Sequence, residues 1–496
     1  MFRKNYIVKV NLPGGIVSAG DLYAIVEAAE KAKVDGVQLG TRQQMFFTVA
    51  DKYGPGFLQE LEQAGISFEA NEERFPNIIS SYVTEDVFEN ANWVSEGLYK
   101  DILDGFDFRP GLKVNLVEGN QTFIPFFSGN INFISSGTGN YWYLYIRFPR
   151  TNILYPWKDL IYSRDIPRLS RLIEEIILNN KELFYDQPSI DGDILYANIA
   201  GRENFATQRI TEELKLPAFK LPYYEGFNSY RNKLWLGIYR REELFPLSFL
   251  RDVCLICLQT KIGQLYTTPW KSLIIKGIER VDRNLWDYTL GKYRINVRHA
   301  SNELNWQVED LCEEGLRLKR WLVRQFDNED TRTYGLSFAI KTRPKTGLFG
   351  SVVVRRQEAG RSNQRKALDR YDILHTRDFN PNSKEYILYR KDLEKESLGV
   401  YLISLCKYFY EMKSEEDLIS RREHHQDALR GAAIPEEKWV FQCPRCQTLY
   451  DEQYGDPSNN VAPGIKFEEV TGHYECPTCG TPKKDFLAAE KSKFIH

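Results

Sequence analysis

The chain has 496 residues and a mass of 57.9 kDa, which predicts about three or four domains because one hydrophobic core stops growing well below this length. Its 66 Lys and Arg nearly balance 68 Asp and Glu, and the net charge of −2 argues against nucleic acid as a partner. It has no apolar run of about 18 residues, so we expect no membrane partner. The first residues lack a signal-peptide pattern, and eight cysteines are too few for a disulfide framework, so we expect a cytoplasmic protein.

Two segments of the chain share one pattern and indicate an internal repeat. The first begins "KVNLPGG" and the second begins "LWLGIYRREE". Each predicts a strand, a turn, an apolar-periodic helix, a glycine and further strands. Gly36 aligns with Gly263, and Thr41 aligns with Thr268, at a constant offset of 227 residues. A longer stretch of predicted strands and amphipathic helices follows each repeat, so the predicted order is A–B–A′–B′.

This order resembles the siroheme-dependent sulfite and nitrite reductases, and the likeness is most specific at "LPGGIVSAGDL" and "VQLGTRQQMFF". The family repeats a ferredoxin-like half-domain and a larger cofactor-binding module around a pseudo-twofold axis. The resemblance implies an α+β fold with duplicated ferredoxin-like half-domains and larger α/β siroheme-reductase-like modules. We therefore predict half-domain 1 (1–75), module 1 (76–215), half-domain 2 (216–284), module 2 (285–410), a charged linker (411–438) and a small iron-binding domain (439–496).

The resemblance breaks at the cysteines that hold the family's four-iron cluster in its second module. The matching stretches, "RHASNELNWQVEDL" and "AIKTRPKTGLFGS", contain no cysteine, and Cys312 lies beyond the expected position. Asn, Trp and Lys do not replace thiolates as cluster ligands. We therefore expect no 4Fe–4S cluster.

The family's anion-binding cations are also mostly replaced, since of two Arg and two Lys only Lys113 and the loop residue Arg42 remain in register. Basic residues nevertheless recur in loops that the resemblance places at the central cleft. Siroheme carries eight carboxylates, so a protein that binds it needs many cations. We name Arg42, Lys113, Arg298 and Arg343 as candidates for binding siroheme or another anion, with solvated surface charge as the alternative. We assign no catalytic residue.

Two C-x2-C pairs, Cys443 with Cys446 and Cys476 with Cys479, lie 29 residues apart near the end of the chain. Two such pairs can build a tetrahedral cage of four sulfurs, which holds zinc or iron. A structural zinc ribbon usually has a shorter spacing of about 15–20 residues between its pairs. The spacing alone leaves both metals open.

The residues around these pairs, with "YD", "GDP" and "CPTCG" in order, resemble rubredoxin over residues 439–486. The resemblance implies one mononuclear iron bound by the four cysteines and carrying one electron. Gln447 stands where the family has Gly, and Tyr474 stands where it has Trp. A glutamine at this turn needs a positive φ if the turn is kept.

We interpret the chain as an iron-binding electron-transfer protein, a rubredoxin fused to a reductase-like body, with a redox partner protein. It would be part of an oxidoreductase system that acts on a small anion or through an anionic cofactor such as siroheme. The densely charged linker would act as a tether between the two parts. A non-catalytic electron-transfer accessory protein with a degenerate docking scaffold is the alternative, and a zinc-stabilised binding protein is a third interpretation.

Overall fold

The computed structural model describes residues 5–85, 87–88, 93–297, 301–343, 347–357, 369–383, 385–431, 439–459 and 461–490. Side chains are left undescribed at 301, 415–431 and 457. The chain forms two compact units, Met1–Phe409 and Tyr410–His496. In the described ranges, every helix is too short or too polar to span a membrane.

The first unit begins with half-domain 1, a small sheet covered by two helices. Its elements are β1 (Asn5–Asn11), β2 (Ile16–Ser18), α1 (Ala19–Lys31), β3 (Gly36–Leu39), β4 (Gln44–Ala50), α2 (Gly54–Gln63) and β5 (Phe68–Ala70). Helix α1 begins after Ser18, whose hydroxyl accepts a hydrogen bond from the backbone N–H of Asp21, as expected for a helix N-cap. Its apolar residues Leu22, Ile25 and Val26 are buried against the sheet.

Module 1 follows as a mixed sheet with helices. Its elements are β6 (Ile79–Ser80), α3 (Glu96–Asp104), β7 (Val114–Val117), β8 (Ile131–Ser135), β9 (Tyr141–Arg147), β10 (Leu154–Pro156), β11 (Asp159–Tyr162), α4 (Ile166–Asn179), α5 (Lys181–Phe184), α6 (Gly192–Ala200) and β12 (Thr207–Arg209). The order is β12-β11-β9-β8-β7-β6, with β10 beside β9. Strands β6, β7 and β8 are parallel, and β9 is antiparallel to β8. Every residue of β7 and β8 is buried, as is usual for covered parallel strands.

Half-domain 2 repeats the first half-domain. Its elements are β13 (Gly226–Tyr230), β14 (Lys233–Tyr239), β15 (Leu244–Pro246), α7 (Leu247–Gln259), β16 (Gln264–Thr267), β17 (Ser272–Ile278) and α8 (Arg283–Lys292). The half-domains exchange a strand, because β2 pairs with β16 and β15 pairs with β3. Each sheet therefore contains one strand from the other repeat, and α1 packs against α7. This exchange produces the pseudo-twofold arrangement that the family resemblance implies.

The predicted alignment of the repeats is wrong by one residue. The bounds of β1, β2, α1, β3 and β4 recur in β14, β15, α7, β16 and β17 at an offset of 228 residues. Positive φ angles recur at the same offset, at Gln43 (59°) and Lys271 (54°). The pairs Gly36–Gly263 and Thr41–Thr268 are thus not equivalent. The offset of 227 residues was suggested by positions that share a residue type. The backbone instead repeats its conformation at positions whose residue types differ.

Module 2 repeats the parallel part of module 1. Its elements are α9 (Ser301–Leu304), β18 (Trp306–Val308), α10 (Glu313–Asn328), β19 (Phe338–Lys341), β20 (Val352–Arg356), β21 (Tyr371–Thr376), β22 (Tyr386–Leu393) and α11 (Lys395–Gly431). Strands β18, β19 and β20 are parallel, and β21 and β22 continue the sheet antiparallel. Helix α11 runs into the predicted linker, 411–438. The predicted boundaries near 75, 215 and 284 stay predictions.

The second unit contains a three-stranded sheet made of β23 (Trp439–Gln442), β24 (Leu449–Tyr450) and β25 (Leu487–Glu490). Strand β23 lies between the other two and is antiparallel to both. The expected fold class, with duplicated half-domains, larger modules and a small C-terminal domain, is confirmed.

Candidate functional site

The four cysteine sulfurs of the second unit converge on one point. The Sγ atoms of Cys443, Cys446, Cys476 and Cys479 all lie within 4.8 Å of one another. Between the pairs, the Sγ–Sγ distance is 3.6 Å for Cys443 and Cys479 and 3.4 Å for Cys446 and Cys476. Metal–sulfur bonds of about 2.3 Å in a tetrahedron correspond to an edge of about 3.8 Å. The four sulfurs therefore fit a tetrahedral metal.

Each C-x2-C pair and the two residues after it form a turn, called a knuckle here: 443–448 and 476–481. The two knuckles have the same backbone hydrogen bonds. In the first, the N–H of Gln447 donates to the carbonyl of Cys443, and the N–H of Cys443 donates to the carbonyl of Thr448, each at 2.9 Å. The second repeats both bonds from the N–H groups of Gly480 and Cys476, at 2.9 and 2.8 Å. Gln447 has a φ of 64°, so the positive φ predicted for it is confirmed.

Hydrogen bonding favours the thiolate form of Cys446, the second cysteine of the first knuckle. The hydroxyl of Thr448 lies 3.1 Å from Cys446 Sγ. This hydroxyl, followed by the backbone N–H of the same residue, lowers the pKa of Cys446. Since the thiolate is the form that binds metal, the knuckle is arranged for ligation.

A compact aromatic core supports the knuckles. It contains five aromatic residues, Phe441, Tyr450, Phe467, Tyr474 and Phe486. The rings of Phe441 and Phe467 stack with centroids 4.2 Å apart. Tyr474 has a further role, because its hydroxyl donates to Asp456 Oδ2 at 2.8 Å. This bond ties the core to the turn of the "GDP" sequence.

In the first unit, Arg42 joins half-domain 1 to module 1. It is 9% exposed, and its guanidinium donates to the carbonyls of Asn77 at 2.7 Å and Val114 at 3.0 Å. It also donates to Asn115 Oδ1 at 3.3 Å. Burial lowers the pKa of Arg42 to about 9. Arg42 is therefore a positive charge held inside the protein by neutral acceptors.

Three half-buried cations extend this charge, and together with Arg42 they form the cation cluster: Lys113, Arg147 and Lys341. Burial, followed by the charges of Arg42 and Arg147, lowers the pKa of Lys113 to about 8. Burial and the charge of Arg147 likewise lower the pKa of Lys341 to about 8. No ion pair joins the cluster to a carboxylate within the described ranges. These cations therefore repel one another, and the carboxylates of Asp310 and Glu309 offset only part of that repulsion. The guanidinium of Arg147 donates to the carbonyls of Gly129 at 3.0 Å and Ser128 at 2.9 Å.

The structure brings together only some of the four predicted cleft residues. Arg42 and Lys113 belong to the cation cluster, whereas the side chain of Arg343 is exposed and its backbone N–H donates to Glu309 Oε1 at 2.9 Å. Arg298 lies outside the described residues. Sequence reasoning missed Arg147, whose only signal is a charge at the end of the otherwise apolar strand β9.

Cys312 lies at the start of helix α10, beside the residue that follows strand β19. It caps helix α10, its Sγ accepts from the N–H of Gly315 at 3.4 Å, and it lies 3.4 Å from Thr342 Oγ1. The other cysteines of this unit are buried in helices, Cys254 and Cys257 in α7 and Cys406 in α11. Burial raises the pKa of Cys406 to about 12, so its thiol stays protonated.

The pseudo-twofold equivalent of Arg42, at the offset of 228, is Trp270. Trp270 is 2% exposed, and its indole N–H donates to the carbonyl of Phe123 at 2.9 Å. Tyr224 packs nearby, with its ring centroid 6.5 Å from that of Trp270. Asn115 of β7 pairs with Asn132 of β8 in module 1, and the equivalent pair between β19 and β20 in module 2 is Ala339 and Val353. The first half is thus polar and positive where the second is apolar.

Comparison with known proteins identifies the second unit. The rubredoxin family profile matches residues 440–486. A rubredoxin of Acinetobacter baylyi is 44% identical over 50 residues, which cover 10% of this chain and 93% of that protein. A probable rubredoxin-2 of Methanocaldococcus jannaschii is 46% identical over 46 residues, which cover 9% of this chain and 82% of that protein. The chain spans 42% of the rubredoxin-2 of Ectopseudomonas oleovorans, at 34% identity.

The fold of the first unit also has a solved counterpart. The NirA protein of Mycobacterium tuberculosis superimposes with a TM-score of 0.61 over 80% of each chain, at 12% sequence identity. At this identity the likeness concerns the fold. The expected fold, a duplicated body with a C-terminal rubredoxin domain, is confirmed, and the four cysteines support a mononuclear iron. Through residues 440–486 the chain belongs to the rubredoxin family, and this iron-binding electron-transfer domain is fused to a body whose fold is like that of NirA.

Proposed function

We propose that the chain is an oxidoreductase whose body binds an anionic ligand at the cation cluster and whose rubredoxin domain exchanges electrons with that ligand. When bound, the iron supplies one-electron transfer. The four cysteines hold it, and the body's cations bind and orient the anion. A redox partner protein would exchange electrons with the rubredoxin domain.

The main support is the positive charge of the cation cluster, which nearby carboxylates compensate only in part. Lys113, Arg147 and Lys341 are half-buried and have no described carboxylate partner. Burying charge without a partner costs free energy, and a protein that keeps such a cost commonly does so at a functional site. A bound anion would offset this repulsion and would be held by charge-assisted hydrogen bonds.

Two kinds of anion fit this chemistry, a tetrapyrrole with carboxylate groups, such as siroheme, or a small oxyanion. Half-buried lysines can reach either one. The resemblance of the repeat to siroheme-dependent reductases favours the tetrapyrrole. Fusion to the rubredoxin domain raises its effective concentration near the body, which suits a carrier that serves a site in the same chain.

The proposal is tested by titrating the purified full-length protein with siroheme, sulfite and nitrite in separate experiments. We expect saturable binding of siroheme or an oxyanion. Lys113→Met and Lys341→Met should each weaken it at least about tenfold, since each removes a charge-assisted contact. Lys158→Met is the matched control, because Lys158 is exposed and pairs with Asp193 at 3.1 Å. Binding of none of the three probes, or equal affinity in all variants, would overturn the proposal.

A second function is favoured by one observation. The guanidinium of Arg42 is bonded to acceptors within the protein, so it contributes charge and not free donors. A body that only docks a partner would need no such donors. The chain would then be an electron-transfer accessory protein, and the titration would show no binding of siroheme, sulfite or nitrite.

A further inference from the structure

The second cysteine of each knuckle is followed two residues later by a threonine whose hydroxyl contacts the cysteine sulfur. Thr448 Oγ1 lies 3.1 Å from Cys446 Sγ. Thr481 Oγ1 lies 3.0 Å from Cys479 Sγ. The two contacts are equivalent because the knuckles share their backbone hydrogen bonds. Hydroxyl groups therefore approach the centre from both knuckles.

The direction of these hydrogen bonds follows from the chemistry of the sulfurs. A cysteine that binds a metal has lost its proton, so the hydroxyl must be the donor. Thr448 Oγ1 also donates to Thr478 Oγ1 at 2.9 Å when the cysteines carry their protons. A hydroxyl has one proton and also accepts, so once Cys446 is a thiolate the Thr448 proton turns to the sulfur and Thr478 becomes the donor to Thr448. Thr481 is 8% exposed, so water competes little for its proton.

We propose that Thr448 and Thr481 raise the reduction potential of the iron by donating hydrogen bonds to the thiolates of Cys446 and Cys479. Ferric iron with four thiolates has a net charge of −1. It accepts one electron from a one-electron reductant and becomes ferrous iron with a net charge of −2, and no proton is taken up. Hydrogen bonds to sulfur stabilise the more negative state more strongly.

The two threonines should differ in the size of their effect. Thr481 is buried and donates in a lower local dielectric, which strengthens the bond. Thr448 is half-buried. Removing the Thr481 hydroxyl should therefore lower the midpoint potential more than removing the Thr448 hydroxyl. Because the hydroxyls contact different sulfurs, the double variant should show roughly the sum of both shifts.

The experiment is a redox titration of the full-length protein with dithionite and mediators, followed by the EPR signal of the ferric iron. The variants are Thr448→Val, Thr481→Val and the double variant, since valine keeps the shape of threonine and lacks the hydroxyl. We expect a lower midpoint potential in each. Thr448→Ser and Thr481→Ser keep the hydroxyl and should restore the wild-type value.

Thr471→Val is the matched control, because Thr471 is exposed in the same unit and makes no described contact with a cysteine sulfur. Its potential should equal that of the wild type. Unchanged potentials in both valine variants would overturn the proposal, as would a serine variant that shifts as far as its valine counterpart. Iron content is measured on each sample. If Thr481→Val binds no iron, Thr481→Ala replaces it with the same expectation.

Discussion

Gln447 and Gly480 adopt the same left-handed backbone conformation, with φ angles of 64° and 70°, one residue after the second cysteine of each knuckle. Glycine reaches this conformation freely, whereas a residue with a Cβ atom is strained by roughly 1–2 kcal/mol. The first knuckle therefore keeps a strained residue where the second has none.

Gln447→Gly should accordingly raise the free energy of unfolding of the rubredoxin domain by roughly 1 kcal/mol. The reverse change, Gly480→Gln, should lower it by a similar amount. Denaturant unfolding followed by the absorbance of the iron centre measures both. A Gln447→Gly variant that is less stable than the wild type would show that the glutamine side chain stabilises the turn.

The cation cluster predicts an unusual pH dependence of stability. The folded pKa of Lys113 is about 8, below the unfolded value of about 10.4. The unfolded chain therefore binds more protons between these values, so this residue makes stability rise as pH increases through that window. Below about pH 8 the cost of burying the charge is fully present.

Lys113→Met should therefore stabilise the ligand-free protein at pH 7, by roughly 1–2 kcal/mol. The gain should shrink as pH approaches about 10. Lys271→Met is the control, because Lys271 is more deeply buried, at 5% exposed, but its Nζ lies 2.6 Å from Glu243 Oε2. It should destabilise by roughly 3–5 kcal/mol. A loss of stability in Lys113→Met at pH 7 would mean that Lys113 has a protein partner.

The "LPGG" turn should tolerate no side chain at its second glycine. Gly15 has a φ of 77°, and an added Cβ would lie 2.5 Å from the amide of Gln43 and 2.8 Å from the carbonyl of Thr267. Gly15→Ala should destabilise the body by roughly 2–4 kcal/mol. Gly65→Ala, at a φ of 70° with open space around it, should cost only about 1 kcal/mol. Thermal unfolding of the two variants compares them, and equal costs would contradict the crowding seen at Gly15.

Tyr474 should stabilise the rubredoxin domain through its hydroxyl. Burial raises the pKa of Asp456, but the hydrogen bonds it accepts from Tyr474 and Asn459 outweigh burial, and its net pKa is lowered. A lowered carboxylate pKa contributes stability above the unfolded value of about 3.9, and that contribution is lost as pH falls through the folded pKa. Tyr474→Phe should cost roughly 1 kcal/mol at pH 7 and less near pH 3. A pH-independent cost, measured by denaturant unfolding, would assign the effect to packing.

Local sequence was enough to predict the metal centre. The spacing of Cys443, Cys446, Cys476 and Cys479 and the backbone requirement at Gln447 depend on a few neighbouring residues, and the structure agrees with both. The repeat was found for a similar reason, because helix and strand periodicity survive changes of residue type.

The register of the repeat and the membership of the cation cluster depend on distant parts of the chain. The offset of 228 is defined by backbone conformation at pairs such as Gln43 and Lys271, where glycine is absent. Arg147 reaches the cluster through the pairing of β9 with β8, which no local pattern states. Arg343 lies just after β19, and its side chain is exposed. The sequence did not show this, because the orientation of a loop depends on contacts that no local pattern states.

The most direct test of the account is the visible absorption spectrum of the full-length protein purified from cells that make siroheme, with metal analysis of the same sample. We predict ferric tetrathiolate bands that dithionite bleaches, one iron per four-cysteine site, and tetrapyrrole bands that weaken in Lys113→Met and Lys341→Met. A colourless protein that holds zinc in the four-cysteine site would contradict the account.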